Sequence, residues 1–295
     1  MLKRRLAPWL YSTPLFIIIV AVILFPIAYT LYISFTNMNV YHWFEFETIG
    51  LENYKKALLM LDSGFLPAVL RTILWTAVNI VLQVIIAFFL ALGLNSPGLK
   101  ARTFYKTMLM FPWAMPAYVS ILLWRMGMFN TEFGFLNKLL EMLGFSGINY
   151  LSNSTNAFIS CVVVNLWQAL PFMLIMMDSA LQSIDKSYYE SALLDGAGFW
   201  KRHLNLTLPA IRPIMAAPIL MTTFLTFKQF DIVYLLTMQR GGVTGANINT
   251  VLTYVYDKAF ITNNYGYSSA ASILVFVLII ILSSLSRSTL KQEGV

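Results

Sequence analysis

This sequence has little of what a catalytic or metal-binding site requires. It contains one cysteine, Cys161, which lies inside an apolar run, and two histidines, His42 and His203. A lone thiol excludes an intramolecular disulfide and a thiolate metal site. The motifs H-E-x-x-H and G-x-S-x-G are missing, and no apolar run holds a pair of carboxylates. These shortages predict that the chain binds no metal and argue against an intramembrane enzyme.

A phosphate-binding loop is also missing. No G-x-x-x-x-G-K-[ST] sequence occurs anywhere in the chain, and that loop is what holds the phosphates in most proteins that hydrolyse ATP. The chain is therefore predicted to have no cofactor of its own and to be unable to hydrolyse ATP unaided.

Charged residues are scarce, at 11% of 295 residues, while 58% are hydrophobic and the mean hydropathy is +0.70. This composition is typical of a polytopic membrane protein. About 20 apolar residues cross a hydrocarbon core of roughly 30 Å as a helix. Continuous rather than alternating runs favour helices over strands. We predict an all-α chain, a single transmembrane domain over 1–295, with six spans at about 12–35, 70–94, 107–129, 157–178, 213–236 and 268–286.

The net charge of +7 does not require a nucleic-acid partner, because the basic residues are unevenly distributed along the chain. Lysine and arginine are enriched in cytoplasmic loops of membrane proteins. With both termini in the cytoplasm, 12 of the 20 basic residues fall inside: Lys3, Arg4, Arg5, Lys100, Arg102, Lys106, Lys186, Lys201, Arg202, Arg212, Arg287 and Lys291. We therefore predict that both termini are cytoplasmic.

The longest charged stretch between two apolar runs covers about 182–212. Ser187 and Glu190 have the S-x-x-E spacing of a capping box, which predicts a helix starting at Ser187. Gly196 supplies a position with positive φ where that helix would end. Apolar side chains at Tyr188, Tyr189, Ala192 and Leu193 would form one face of it. Such a face needs either a partner protein or the membrane surface.

Two segments of this loop resemble a known family. Glu190-Ser-Ala-Leu-Leu-Asp195-Gly196-Ala197, followed by Leu206-Thr-Leu208-Pro209, is similar to the EAA signature of binding-protein-dependent ABC importer membrane subunits. In that family the loop is a coupling helix that docks into a cytoplasmic ATPase subunit. The resemblance assigns ATPase coupling to Glu190, Ser191, Ala192, Asp195, Gly196 and Ala197. Ser191 stands where alanine is usual, and His203 where phenylalanine is common.

Further motifs point to the carbohydrate branch of the family, which includes maltose, lactose and multiple-sugar permeases. Gly50-Leu-Glu-Asn-Tyr54 matches its G-L-x-N-Y element, and Arg102, Pro112, Pro116 and Trp124 follow its R-x9-P-x3-P-x7-W spacing. The resemblance implies a type I ABC importer permease fold in the bacterial plasma (inner) membrane. It also implies a sugar or oligosaccharide substrate from an extracytoplasmic solute-binding protein, a second homologous permease in a heterodimer, and two ATPase subunits that bind ATP and magnesium.

Polar and aromatic side chains recur at i, i+3, i+4 and i+7 in two apolar runs, and this spacing lies on one helix face. Both stripes fall roughly 12 to 24 Å into the membrane at 1.5 Å per residue. Amides and hydroxyls suit sugar hydroxyls, and aromatic faces suit sugar C–H surfaces. The predicted substrate-binding residues are Asn165, Gln168, Ala169, Phe172, Thr222, Leu225, Thr226 and Gln229. The alternative is that they only bond neighbouring helices.

Lys228 and Asp231 are spaced i, i+3 in an apolar run. Such a spacing predicts an ion pair, which lowers the cost of both charges in the membrane. Two other interpretations of Lys228 are that its ammonium group extends to the membrane interface, or that it faces an acidic sugar. Two alternative functions also stay open: a permease for a solute other than sugar, and an ion-coupled secondary transporter, which would need more intramembrane carboxylates.

Overall fold

The computed structural model describes residues 2–59, 64–237 and 248–292. Regular secondary structure in these residues is helical, with one isolated β-bridge between Thr36 and Thr48. The prediction of an all-α chain is therefore confirmed. The described α-helices are α1 (Leu2–Ile18), α2 (Phe25–Ile33), α3 (Glu52–Leu59), α4 (Phe65–Leu94), α5 (Arg102–Ala114), α6 (Ala117–Leu123), α7 (Phe135–Met142), α8 (Ser154–Gln182), α9 (Lys186–Leu194), α10 (Phe199–Arg202), α11 (Leu208–Phe227), α12 (Asp231–Thr237), α13 (Val251–Tyr256) and α14 (Tyr265–Gln292). Short π-helical turns lie at Ile19–Leu24, Trp124–Met128, His203–Thr207 and Asp257–Ile261.

Within the described ranges, five helical stretches are long and apolar enough to cross a membrane: Tyr11–Ile33, Phe65–Leu94, Ser154–Gln182, Phe199–Thr237 and Tyr265–Ser284. A sixth forms when Arg102–Ala114 and Ala117–Met128, which are bent by 96° from each other, count as one span.

The bend between α5 and α6 follows from Pro116. A residue before proline is sterically pushed out of the helical region, and Met115 is extended, with φ −87° and ψ 139°. The prolines therefore break this span in two.

A second interruption separates α11 from α12. Helix α11 ends at Phe227 and α12 begins at Asp231, so the three residues between them lie outside both helices. Lys228 has φ −92° and ψ 15°, outside the helical region. The predicted run at about 213–236 is thus not one helix, and helical structure begins upstream, at Phe199.

The chain divides into two compact units, Met1–Ala68 with Val251–Ile280, and Val69–Thr250 with Ile281–Val295. In the first unit, Asn53 of the G-L-x-N-Y element is buried and donates to the carbonyls of Ser34 and Thr36, at 3.0 and 2.8 Å. The Tyr54 hydroxyl lies 2.7 Å from the Ser34 hydroxyl. This motif therefore holds the segment after α2 in place.

The second unit is built around α8, which packs against α5, α6, α11 and α12. Asn153 caps its N-terminus by accepting the Asn156 N–H at 2.8 Å. Two hydrophobic clusters lie along it, one around Trp75, Ile121, Cys161 and Ile232, the other around Phe88, Met173, Met177 and Ile211. The N-terminal and C-terminal halves of α8 therefore pack against different neighbours.

Candidate functional site

A cavity of about 560 Å³ lies in the second unit. All eight residues predicted to bind substrate line it: Asn165, Gln168, Ala169, Phe172, Thr222, Leu225, Thr226 and Gln229. The wall also includes residues that the two stripes do not predict, namely Pro112, Trp113, Met115, Ala117, Met221, Lys228, Phe230 and Asp231. The R-x9-P-x3-P spacing is the sequence signal for the lining residues between 112 and 117, because its prolines mark the break between α5 and α6.

The amides on α8 are partly committed to neighbouring helices. Asn165 is buried, and its Nδ2 donates to Asn79 Oδ1 at 2.7 Å. Gln168 is half-buried, and its Nε2 donates to the carbonyl of Ala117 at 3.1 Å. Each amide thus donates one N–H to a neighbouring helix, as the alternative interpretation expects. A primary amide carries two N–H groups, so each side chain has a second donor.

The polar groups that α11 and the segment after it contribute to the cavity differ in whether they have hydrogen-bond partners. The hydroxyl of Thr222 is buried and has no partner among the described residues. The carbonyl of Thr226 accepts the Trp75 Nε1–H at 3.2 Å. Gln229 lies beyond the end of α11, not on its face, and its side-chain amide bonds to no residue that the structure describes. Its donors and acceptor remain available to a ligand.

The predicted ion pair between Lys228 and Asp231 is wrong. Among the described residues neither side chain has an opposite charge within 4.0 Å, and both are exposed at the cavity wall. The spacing i, i+3 brings side chains together only on a continuous helix, and α11 stops before Lys228. Contact of Lys228 with an acidic sugar stays a prediction.

The charged loop contains α9 and α10. The predicted capping box is wrong, because α9 begins at Lys186 and its N-cap is Asp185, whose carboxylate accepts the Ser187 N–H at 2.9 Å. Accepting that hydrogen bond holds the pKa of Asp185 below its usual range. An aspartate placed one residue before the helix meets the free N–H groups better than Ser187, which lies within the first turn.

The predicted end of α9 is confirmed. Gly196 has φ +70°, its N–H donates to the carbonyl of Leu193 at 3.0 Å, and the Ala197 N–H donates to that of Ala192 at 2.9 Å. This pair of bonds is the Schellman motif, which favours glycine because other residues are strained at positive φ.

The apolar face predicted for α9 is divided between two directions. Tyr189 turns inward, with its hydroxyl 2.9 Å from that of Thr207, which also lies 2.9 Å from His203 Nδ1. Two other predicted members of the face, Tyr188 and Leu193, are 62% and 56% exposed, and Leu194, which was not predicted to belong to it, is 91% exposed. The inward residue attaches α9 to the start of α11, while the outward residues lack cover within the described chain.

Four of the predicted coupling residues, Glu190, Ser191, Asp195 and Gly196, are exposed, and the alanines at 192 and 197 are half-buried. Leu193, Phe199 and Trp200, which the motif does not mark, are exposed beside them. Across the described ranges, no three histidine, cysteine, aspartate or glutamate side chains group closely enough to hold a metal ion.

Comparison with protein families matches residues 83–289 to the model described as binding-protein-dependent transport system inner membrane component. The chain is 32% identical to the trehalose/maltose transport system permease protein of Thermococcus litoralis, over 92% of this chain and 89% of that protein. It is 30% identical to the sulfoquinovosyl glycerol transport system permease protein of Agrobacterium fabrum, over 94% and 88% of the two chains.

Comparison with solved structures finds a bacterial ABC transporter involved in import of the acidic polysaccharide alginate. The TM-score is 0.78 at 19% identity, covering 98% of this chain and 96% of that one. A second structure, of the alginate transporter with its alginate pentasaccharide-bound periplasmic protein, gives a TM-score of 0.76 at 18% identity. These matches confirm the predicted type I importer permease fold.

The helix end at Gly196 provides a direct test of the loop geometry. We expect Gly196→Ala to cost about 1 kcal/mol through strain at positive φ and to speed hydrogen exchange of the Ala197 N–H. Gly198→Ala is the matched control, since its φ is not positive and an added Cβ meets nothing within 4 Å. Hydrogen-exchange mass spectrometry of the peptide that covers α9 and Ala197 measures the exchange rate in both variants. Equal exchange in the two variants would contradict the assigned Schellman motif.

Proposed function

Since the chain belongs to the family of binding-protein-dependent transport system inner membrane components, we propose that it is the membrane-spanning subunit of an ATP-driven importer for a sugar or oligosaccharide. The observation that carries this proposal is the cavity of about 560 Å³ whose wall holds all eight residues predicted to bind a sugar. Its volume lies within the roughly 300–1,000 Å³ of small-molecule sites.

The chemistry of the wall suits a carbohydrate. Gln229 and the second N–H groups of Asn165 and Gln168 offer hydrogen bonds to hydroxyl groups. Trp113 and Phe172 lie with ring centroids 6.4 Å apart and supply an aromatic surface for sugar C–H faces. Several relatives are named as sugar permeases. An importer of the same fold for a solute other than sugar would not need this combination of groups.

The loop containing α9 and α10 is proposed to receive the ATPase. Its exposed apolar side chains, Tyr188, Leu193, Leu194 and Trp200, lie among exposed charges such as Glu190. A mixed apolar and charged surface of this kind is typical of a protein interface. ATP and magnesium would be bound by two separate cytoplasmic ATPase subunits, so this chain is a transport subunit and not an enzyme.

The proposed cycle is alternating access. ATP-driven closure of the ATPase dimer moves the loop as a rigid body, and the cavity opens towards the solute-binding protein. A solved relative of the same fold was crystallised with a sugar-bound periplasmic protein, which supports such a partner here. A second, homologous permease would complete the pathway as a heterodimer in the bacterial inner membrane. The bias of basic residues supports cytoplasmic termini and a cytoplasmic loop.

The proposed coupling surface is tested at Glu190. We expect Glu190→Ala to reduce stimulation of ATP hydrolysis by the sugar-loaded binding protein at least tenfold in proteoliposomes, because the docking contact loses its charge. Glu141→Ala is the matched control: that glutamate is exposed on α7 and pairs with Lys138 at 3.1 Å. Exposed pairs contribute little to stability. Full stimulation with Glu190→Ala would remove Glu190 from the interface.

The proposed sugar cavity is tested at Gln229. We expect Gln229→Leu to lower the rate of sugar uptake about tenfold, as loss of one buried hydrogen bond costs about 1–1.5 kcal/mol. Gln229→Asn keeps an amide and should retain more activity. Uptake of radiolabelled sugar at saturating ATP is the measurement. If leucine and asparagine behave like the parent chain, Gln229 does not contact the substrate.

The charge of the sugar is tested at Lys228 and Asp231, whose opposite charges line the cavity and form no ion pair with any residue that the structure describes. We expect Lys228→Met to lower the uptake ratio of a uronate oligosaccharide to a neutral one about tenfold, equivalent to about 1.4 kcal/mol, because the wall becomes net negative. Asp231→Asn should raise the same ratio. A ratio unchanged in both variants would show that neither charge faces the sugar.

A further inference from the structure

Five side chains meet at the end of α8 nearest the charged loop, and we call them the Asp178 cluster. Asp178 is buried, at 5% exposure. Its Oδ1 accepts Asn95 Nδ2 at 2.6 Å and Arg102 Nη2 at 3.0 Å. Its Oδ2 accepts Gln182 Nε2 at 2.8 Å and also Lys106 Nζ. Each carboxylate oxygen therefore carries two donors.

This arrangement leaves Asp178 no capacity for a ligand. An ionised carboxylate offers about four acceptor sites, and the cluster fills four. A cavity of about 340 Å³ borders Lys106, Asp178 and Gln182, but the carboxylate has no free lone pair to direct into it. The cluster is thus an internal connection between helices, not a binding site.

The donors come from three segments of the chain: the residue after α4, the first turns of α5 and the end of α8. Asn95 follows the last residue of α4, Arg102 is the first residue of α5, and Lys106 lies one turn further. Gln182 is the last residue of α8, and α9 begins four residues later, at Lys186. The cluster therefore joins the beginning of α5 to the point where the charged loop leaves α8.

Helix α5 continues from the cluster to the substrate cavity. Pro112 and Trp113, near its other end, line that cavity, and six residues from Lys106 to Pro112 span about 9 Å. Separating a buried carboxylate from its cations is costly, since the charge loses its partners without regaining water. The ends of α5 and α8 should therefore move together.

We propose that Asp178 is a positioning residue that transmits displacement of the loop containing α9 to α5, and through α5 to the wall of the substrate cavity. The proposal rests on the proposed import function. It assigns to Asp178 the coupling of ATP hydrolysis to transport, without contact with either the sugar or the ATPase. Loss of the carboxylate charge then uncouples the two processes and leaves hydrolysis running.

The test uses the complete transporter in proteoliposomes, with its partner permease, ATPase and binding protein. We expect Asp178→Asn to retain ATP hydrolysis within about twofold while sugar transported per ATP falls at least tenfold. Asp178→Glu keeps the charge and should restore part of the ratio, and Glu141→Gln should leave it unchanged. Lys106→Gln removes one cation and keeps the Arg102 bond, so it should give a smaller loss and provides the test if Asp178→Asn fails to assemble.

A distance measurement separates positioning from general destabilisation. Spin labels on Thr103→Cys and Lys186→Cys, both exposed positions, report the separation of α5 and α9. Cys161 is fully buried and needs no replacement. We expect one narrow distance distribution in the parent chain and a broad one in Asp178→Asn.

Two results would overturn the proposal: an unchanged transport ratio with an unchanged distance, or transport and hydrolysis falling in parallel. Absence of ATP-dependent sugar uptake in the parent complex would instead refute the proposed function itself.

Discussion

The structure depends on one constraint: a polar group inside an apolar span must find its partner within the protein, because hydrocarbon offers none. Several buried polar groups of the second unit meet this constraint with bonds between helices. Asn79 on α4 accepts from Asn165 on α8, and Trp75 on α4 donates to the backbone of α11. At the end of α8, Asp178 takes donors from three segments. The bonds that satisfy buried polarity therefore also fix which helices are neighbours.

The same constraint explains where the cavity lies. Both helix interruptions of the second unit border it, one at Met115 before Pro116 and the other at Lys228 to Phe230. Backbone outside a regular helix is tolerated at membrane depth only where protein or a water-filled cavity receives its polar groups. The breaks also release side chains from helical register. Gln229, Lys228 and Asp231 consequently line the cavity, and among the residues that the structure describes their side chains have no ion-pair or hydrogen-bond partner.

The charged loop is attached to the rest of the second unit by hydrogen bonds on its inner side, and apolar side chains on its outer side are exposed. Tyr189, Thr207 and His203 share one hydrogen-bonded group that binds α9 to the start of α11. Asp178 secures the preceding end of α8 to α5. Leu194 and Trp200, in contrast, are exposed. An element that is firmly attached to the helices and has an exposed apolar surface is suited to bind another subunit and to move with it. This agrees with the proposed docking of an ATPase.

The sequence alone determined the all-α membrane class, the family, the eight cavity residues that lie in the two polar stripes, and the glycine end of α9. Each of these follows from run length, a local motif or helical spacing, all of which act over a few residues. Tertiary structure decided the rest. The helix break before Asp231 cancelled its predicted pairing with Lys228, Asp185 displaced Ser187 as the helix cap, and Tyr189 turned away from the exposed face. In the Asp178 cluster, the hydrogen bond from Asn95 to Asp178 joins residues 83 positions apart. No local pattern encodes a contact that arises only when three helix ends converge.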